Sequence, residues 1–352
     1  MKKILIITLC VILISGCAGK NVSAPDSQTD IYEEKPVAQK QETVIPDDTA
    51  QDTETYENPP SEAETDYINA EESIMDNIYE YLADEDYQTP EGFDEESEGV
   101  NYGELTEIEY FSKTTGVARK CYVYTPPEYD PNVIYPVLYL LHGIGGIHTE
   151  WLGGEPNAIL SNLIAAGRAA PMIAVMPNVR AAENDGYPSD VFGPANVEAF
   201  DNFINDLRDD LMPFIQQNYP VSDKRRERAI AGLSMGGRES LYIGVSMPDT
   251  FGYIGAFSPA PGLLANSDSG FSGQLTPEEM TLPVEYKNNT LILICSGNQD
   301  GVVNDNPLNY HKAFDNNGIR SAYYTIDGGH DFRVWKNGLY YFAKCIFQGA
   351  GV

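Results

Sequence analysis

The chain has 352 residues, 42% of them hydrophobic, which is enough for one large domain or two ordinary ones with a substantial core. Its formal charge of −31 is concentrated: residues 20–100 hold 25 Asp and Glu against 3 Lys and Arg, leaving about −11 for residues 101–352. Neither part offers the basic face that nucleic-acid binding needs, and that class is excluded.

At the N-terminus Lys2 and Lys3 precede an apolar run, Ile4 to Ile14, too short to span a bilayer but matching the hydrophobic region of a signal peptide. The run closes in Ile14-Ser15-Gly16-Cys17, which resembles the lipobox of bacterial lipoproteins. The resemblance implies that residues 1–16 are removed and that Cys17 is lipidated. That lipid would then be the chain's membrane contact, holding it on the outer face of a bacterial cell membrane. An ordinary signal peptide with an incidental cysteine is the alternative. Residues 17–100 are rich in Glu, Asp, Thr, Pro and Gln and poor in aliphatics, the composition of a largely disordered, self-repelling tether. Within it Ile74, Ile78 and Leu82 recur at i, i+4, i+8, so residues 69–82 either dock as a short amphipathic helix or form only a marginal one.

A folded domain is expected over residues 101–352. Leu105–Phe111 and Ala118–Thr125 read as strands, and Pro136–Leu141 as a wholly apolar strand of the kind found in a sheet covered on both faces. A helix over Asn157–Ala166, a strand at Met172–Met176 and one long helix from Asn196 to Tyr219 follow. Next come a strand at Arg228–Leu233, a helix at Met235–Met247 and a strand at Tyr253–Phe257. Residues 259–289, with four prolines and several glycines, form an irregular stretch, either a lid or an insertion. The chain closes with a strand at Thr290–Ser296, a helix at Asn306–Asn316, a strand at Ile319–Ile326 and a helix at Phe332–Phe347. This alternation predicts a mainly parallel sheet with helices on both faces. Cys121, Cys295 and Cys345 are odd in number, so at least one thiol stays free, and no cysteine or histidine spacing suggests a metal.

The chemistry centres on Gly232-Leu-Ser-Met-Gly236, a G-x-S-x-G elbow between predicted strand and helix. Serine needs a base to take its proton, and the base needs an orienting group. Of four histidines, His330 lies in Asp327-Gly-Gly-His-Asp331 directly after the last strand, where an open sheet presents its functional loops. Asp300, at the end of a buried strand, is favoured as the acid, with Asp305 and Asp327 as rivals. The amides of Met235 and of Ile144, in the loop His142-Gly-Ile-Gly-Gly146, are the candidate oxyanion donors.

These segments resemble the esterase D-type α/β-hydrolases of carbohydrate esterase family 1, particularly bacterial feruloyl and acetyl xylan esterases. The resemblance is carried by Leu140-Leu-His-Gly-Ile-Gly-Gly146 with Trp151, Ala229 to Gly237, Ser296-Gly-Asn-Gln-Asp300, and Gly328-Gly-His-Asp-Phe-Arg-Val-Trp335. It implies an α/β-hydrolase fold and Ser234 as nucleophile, His330 as base and Asp300 as acid, with Ile144 and Met235 as oxyanion donors and no cofactor. The implied substrate is an ester-decorated polysaccharide such as xylan. Trp151 and Trp335 are expected to be packing residues, and the acyl pocket is expected from residues 180–195 and 259–289, where Tyr187, Phe192 and Leu263 are available. Siderophore esterases, thioester hydrolases and mycolyl transferases share the resemblance. A non-catalytic surface-binding module on an acidic stalk is the alternative of another class.

Overall fold

Five short segments, β3 (Val137–Leu141), β4 (Ile173–Pro177), β5 (Arg228–Leu233), β6 (Tyr253–Phe257) and β7 (Leu291–Gly297), are buried along almost their whole length, as strands covered on both faces must be. With β1 (Glu104–Phe111), β2 (Ala118–Thr125) and β8 (Ala322–Ile326) they form one eight-stranded sheet of order β1-β2-β4-β3-β5-β6-β7-β8. β2 runs antiparallel to β1 and β4, and every pair from β4 onward is parallel. In the computed structural model residues 62–265 and 273–348 are described, with side chains from Glu71 onward. The chain divides into two units, Met1–Asn58 and Pro59–Val352, and all described residues lie in the second.

The period-two geometry of a strand sorts the core into two layers. Leu138 and Leu140 of β3 face one apolar cluster, while Val137, Tyr139 and Leu141 face the other. The first layer is covered by α2 (Pro156–Ala165) and α8 (Phe332–Cys345), and the second by α6 (Met235–Ser246) and α7 (Asn306–Asn316) with Phe200 and Phe203. The mainly parallel sheet expected from the sequence is therefore present, as an α/β-hydrolase fold.

The domain boundary expected at Asn101 is corrected: the packed unit begins earlier. Helix α1 (Glu62–Asp84) buries Met75, Ile78, Tyr79 and Leu82 in the first core layer. The Tyr79 hydroxyl donates to Arg320 O at 2.8 Å and accepts from Ile292 N at 3.0 Å, at the amino-terminal ends of β8 and β7. Beyond α1 the chain crosses α8, with Tyr87 stacked on Tyr324 at 3.5 Å, Asn337 Nδ2 donating to Tyr87 O and Tyr341 Oη donating to Gln88 O. The physical reason is that tyrosine, which composition counts as weakly apolar, supplies both ring area and a hydrogen bond here. Cys17 and the expected signal peptide lie outside the described residues.

The single helix expected over Asn196–Tyr219 is corrected to a segmented one: α3 (Pro194–Asp201), α4 (Phe203–Asp206), a π-helical turn (Leu207–Leu211) and α5 (Met212–Asn218). Pro213 at the start of α5 has no N–H for the ladder, and the chain widens before it, with Met212 N donating to Leu207 O. In the stretch 259–289, Leu263, Met280 and Leu282 are buried in the second core layer, Gln274 and Leu275 N donate to Leu263 O, and Val284 is exposed.

Candidate active site

Ser234 stands between the last residue of β5 and the first of α6 with φ 51° and ψ −117°, a conformation side chains rarely adopt. The strain persists because the surroundings over-determine it. Ser234 N donates to Phe257 O at 2.9 Å, and its carbonyl accepts from Arg238 N at 3.0 Å and Ala260 N at 2.9 Å. The two glycines of the elbow are required by close approach: a Cβ on Gly232 would lie 2.5 Å from the Gly236 carbonyl carbon, and one on Gly236 would lie 2.5 Å from both Leu141 O and His142 O. Strand, turn and helix can cross at this distance only without side chains.

The structure brings the three residues singled out from sequence together. Ser234 Oγ donates to His330 Nε2 at 2.9 Å, and His330 Nδ1 donates to Asp300 Oδ2 at 2.8 Å. Asp300 Oδ1 accepts from Val302 N at 3.0 Å and Val303 N at 3.2 Å. Burial alone would raise the Asp300 pKa, but the hydrogen bond and charge of His330 and the Val303 amide outweigh it, holding the carboxyl below its ordinary value. The imidazole is thus fixed with its proton on Nδ1 and a free pair facing the serine. The rival carboxylates are elsewhere: exposed Asp327 accepts from Gln299 and pairs with Arg333, and Asp305 sits at the N-cap of α7. Of the other histidines, His311 bonds Ser321 and His148 bonds Glu107.

Met235 opens α6, so its N–H belongs to the first turn, where amides have no intrahelical acceptor and the dipole favours negative charge. Across from it the loop after β3 is a tight turn. Gly146 N donates to Gly143 O, the His142 Nδ1–H donates to the same carbonyl at 2.7 Å, and Asn196 Nδ2 donates to Ile144 O at 3.1 Å. His142 Nε2 accepts from Val179 N at 2.8 Å, and burial pushes its pKa down to about 4, so it stays neutral in support of the loop. Ile144 and Met235 therefore sit on the two segments from which paired oxyanion donors are drawn.

Trp151 is a packing residue, as expected: it is buried against Phe257 and Phe332 and donates to Leu141 O. Trp335 packs edge-on to the His330 ring, 5.1 Å between centroids, and on Phe332. The expected pocket lining is only partly placed at the surface. Tyr187 and Phe192 are 64% and 81% exposed on a loop whose Val191 packs near Gly145 and whose backbone Asn196 ties to Ile144. Leu263 is buried in the core instead, because the irregular stretch folds down over it. Sequence reading missed Glu150 and Asn196, which brace the Gly-rich loop; a lone polar residue seven or fifty positions away gives no signal of that contact.

A mainly parallel sheet carrying a strained serine at a strand-to-helix elbow, with aspartate after β7 and histidine after β8, defines the α/β-hydrolase class. Residues 112–341 match the family model named Esterase, and the chain belongs to that family and is a carboxylic ester hydrolase. An endo-1,4-beta-xylanase/feruloyl esterase of Xylanibacter ruminicola is 30% identical over 262 residues, 71% of this chain and 32% of the relative, so the match spans about a third of that protein's length. A CE1 ferulic acid esterase of Anaeromyces mucronatus, solved in complex with ferulic acid, is 34% identical with a TM-score of 0.71, covering 75% of this chain and 98% of that one. The enterobactin esterase of Shigella flexneri shares the fold, with 19% identity and a TM-score of 0.52 over 70% of this chain and 60% of its own.

Proposed function

We propose that this esterase removes hydroxycinnamoyl groups such as feruloyl, or acetyl groups, from plant cell-wall polysaccharide such as xylan, through a Ser-His-Asp acyl-enzyme mechanism. The observation that carries the mechanism is the continuous relay Asp300–His330–Ser234, with hydrogen bonds of 2.8 and 2.9 Å ending on a strained serine. As Ser234 Oγ bonds to the ester carbonyl carbon, its proton passes to His330 Nε2, and the carbonyl oxygen becomes an anion held by the Ile144 and Met235 amides. Collapse expels the sugar oxygen, which takes the proton from His330. Water then attacks the acyl enzyme, again giving a proton to His330, and collapse breaks the bond to Ser234 Oγ, which takes that proton back as the free acid leaves. Asp300 stays ionised throughout and holds the imidazolium that forms twice in the cycle.

The polysaccharide reading is supported by what the xylanase/feruloyl esterase relative and the ferulic acid esterase structure are named for. Tyr187 and Phe192, exposed beside the loop that carries Ile144, suit an aromatic acyl group or a sugar face. The export reading rests on Cys17 and the apolar run before it, and places the enzyme outside the cell on a lipid. Two measurements test the function. Release of 4-nitrophenol from its acetate should show a burst in the wild type and fall by at least about 10⁴-fold in Ser234→Ala; an intact Ser234→Ala protein with near-normal turnover refutes the mechanism. Comparing ferulate and acetate released from xylan by the purified protein identifies the acyl group, and release of neither overturns the substrate reading.

A further inference from the structure

The loop that carries Ile144 is braced from below by a carboxylate. Glu150 Oε2 accepts from Gly143 N at 2.6 Å, a short charge-assisted hydrogen bond that turns the first amide of the loop inward. A Cβ on Gly143 would lie 3.4 Å from that same oxygen and 3.3 Å from Ser234 Cβ, so the carboxylate and the nucleophile both crowd this one glycine. A Cβ on Gly146 would lie 2.4 Å from Glu150 Oε2, which places the carboxylate inside the turn rather than beside it. With Gly143 N bound to Glu150 and Gly146 N bound to Gly143 O, both ends of the turn are committed, and Ile144 and Gly145 lie between them.

We propose that Glu150 is a positioning residue for ester hydrolysis, fixing the Gly143–Gly146 turn so that the Ile144 amide is aimed at the oxyanion. The inference rests on ester hydrolysis at Ser234 and not on which acyl group is removed. Burial raises the Glu150 carboxyl above its ordinary pKa, and the Gly143 amide and the charge on His330 pull in the opposite direction. A full negative charge beneath the loop would oppose a forming oxyanion, but the Gly143 N–H lies against that charge. The arrangement therefore works through geometry.

Glu150→Ala, Glu150→Gln and Glu150→Asp test this role, using 4-nitrophenyl acetate as the probe so that the acyl preference of the natural substrate does not enter. Glu150→Ala should lower kcat about 10- to 100-fold with KM changed less than about threefold, since a misaimed oxyanion donor costs less than a missing one. Glu150→Gln, whose amide oxygen still accepts from Gly143 N, should recover most of that loss. Glu150→Asp, whose carboxylate is one methylene too short for the 2.6 Å contact with Gly143 N, should lose kcat as Glu150→Ala does. Melting temperature is recorded for each variant. Glu150→Ala with kcat within twofold of wild type, or Glu150→Gln with kcat no better than Glu150→Ala, overturns the proposal. If Glu150→Ala does not fold, Glu150→Asp decides the question: a folded protein with kcat within twofold of wild type overturns it.

Discussion

Replacing Tyr79 by Phe removes one oxygen atom from a buried junction between α1 and the sheet, and its effect can be worked out from the contacts. The hydroxyl donates to Arg320 O at 2.8 Å, lies 3.2 Å from Thr290 O, and accepts from Ile292 N at 3.0 Å. Phenylalanine keeps the ring and its stacking under the Arg320 guanidinium, 4.1 Å from the centroid, so the change isolates the hydrogen bonds. What remains is the Ile292 N–H, buried and without its acceptor, which costs about 1–3 kcal/mol in addition to about 1 kcal/mol for the lost donor bond. A loss of about 2–4 kcal/mol in a unit of this size lowers Tm by roughly 4–12 °C. Thermal melts followed by circular dichroism measure it. Turnover at 25 °C should be unchanged, because this junction is at the amino-terminal ends of β7 and β8 while Ser234, Asp300 and His330 sit at the carboxyl ends of their strands. A Tyr79→Phe protein melting within 1–2 °C of wild type would refute the claim that this hydroxyl ties α1 to the sheet.

The remaining predictions concern the site and its supports. Asp300→Asn should reduce kcat by about 10⁴-fold, because an amide can hold the imidazole with its proton on the wrong nitrogen, while Asp305→Asn and Asp327→Asn should stay within twofold; steady-state kinetics on one ester reads all three. Gly236→Ala places a methyl 2.5 Å from two fixed carbonyl oxygens at the end of β3, so activity should fall more than 100-fold and urea stability by about 1–3 kcal/mol, and a normal enzyme would contradict the crowding argument. For His142 the folded pKa of about 4 lies below the unfolded value near 6.5, so the unfolded chain binds a proton that the native state refuses. Stability is then full above pH 6.5 and declines as pH falls toward 4, by about 3 kcal/mol in all. Urea unfolding at pH 7 and pH 4.5 should show this decline in the wild type and a shallower one in His142→Gln, whose amide can still bond Gly143 O and Val179 N; equal declines would remove His142 from the account.

How far these residues could be read from sequence depended on whether a contact leaves a local trace. The elbow leaves a strong one, because crowding at Gly232 and Gly236 is a property of five adjacent residues, and the order Ser234, Asp300, His330 follows from each standing after its own strand. Strands β3 to β7 were legible for the same reason: a segment buried on both faces must be apolar throughout, and β5 and β6 were bounded to the residue. The break in the helix before Tyr219 was not, although Pro213 was visible, because proline is tolerated in the first turn and only the register decides whether it is first-turn or interior.

The N-terminal arm was legible only in part: the spacing of Ile74, Ile78 and Leu82 offered a docked helix, and Ile78 and Leu82 are buried in the core, but the rest of the arm left no such trace. Residues 62–100 are acidic and poor in aliphatics, and a composition rule assigns them to the solvent, yet Tyr79 bonds backbone atoms of Arg320 and Ile292 more than two hundred residues away, and Tyr87 stacks on Tyr324 while its carbonyl accepts from Asn337. A backbone carbonyl such as Arg320 O is invisible in the sequence as a partner, since every residue has one. Glu150 escaped in the same way: what makes it matter is the Gly143 N–H, an atom that residue identity does not mark. The chemistry that side chains do among themselves is therefore the part that can be read in advance. The chemistry they do with the main chain, which here closes the domain and braces the loop carrying Ile144, needs the fold.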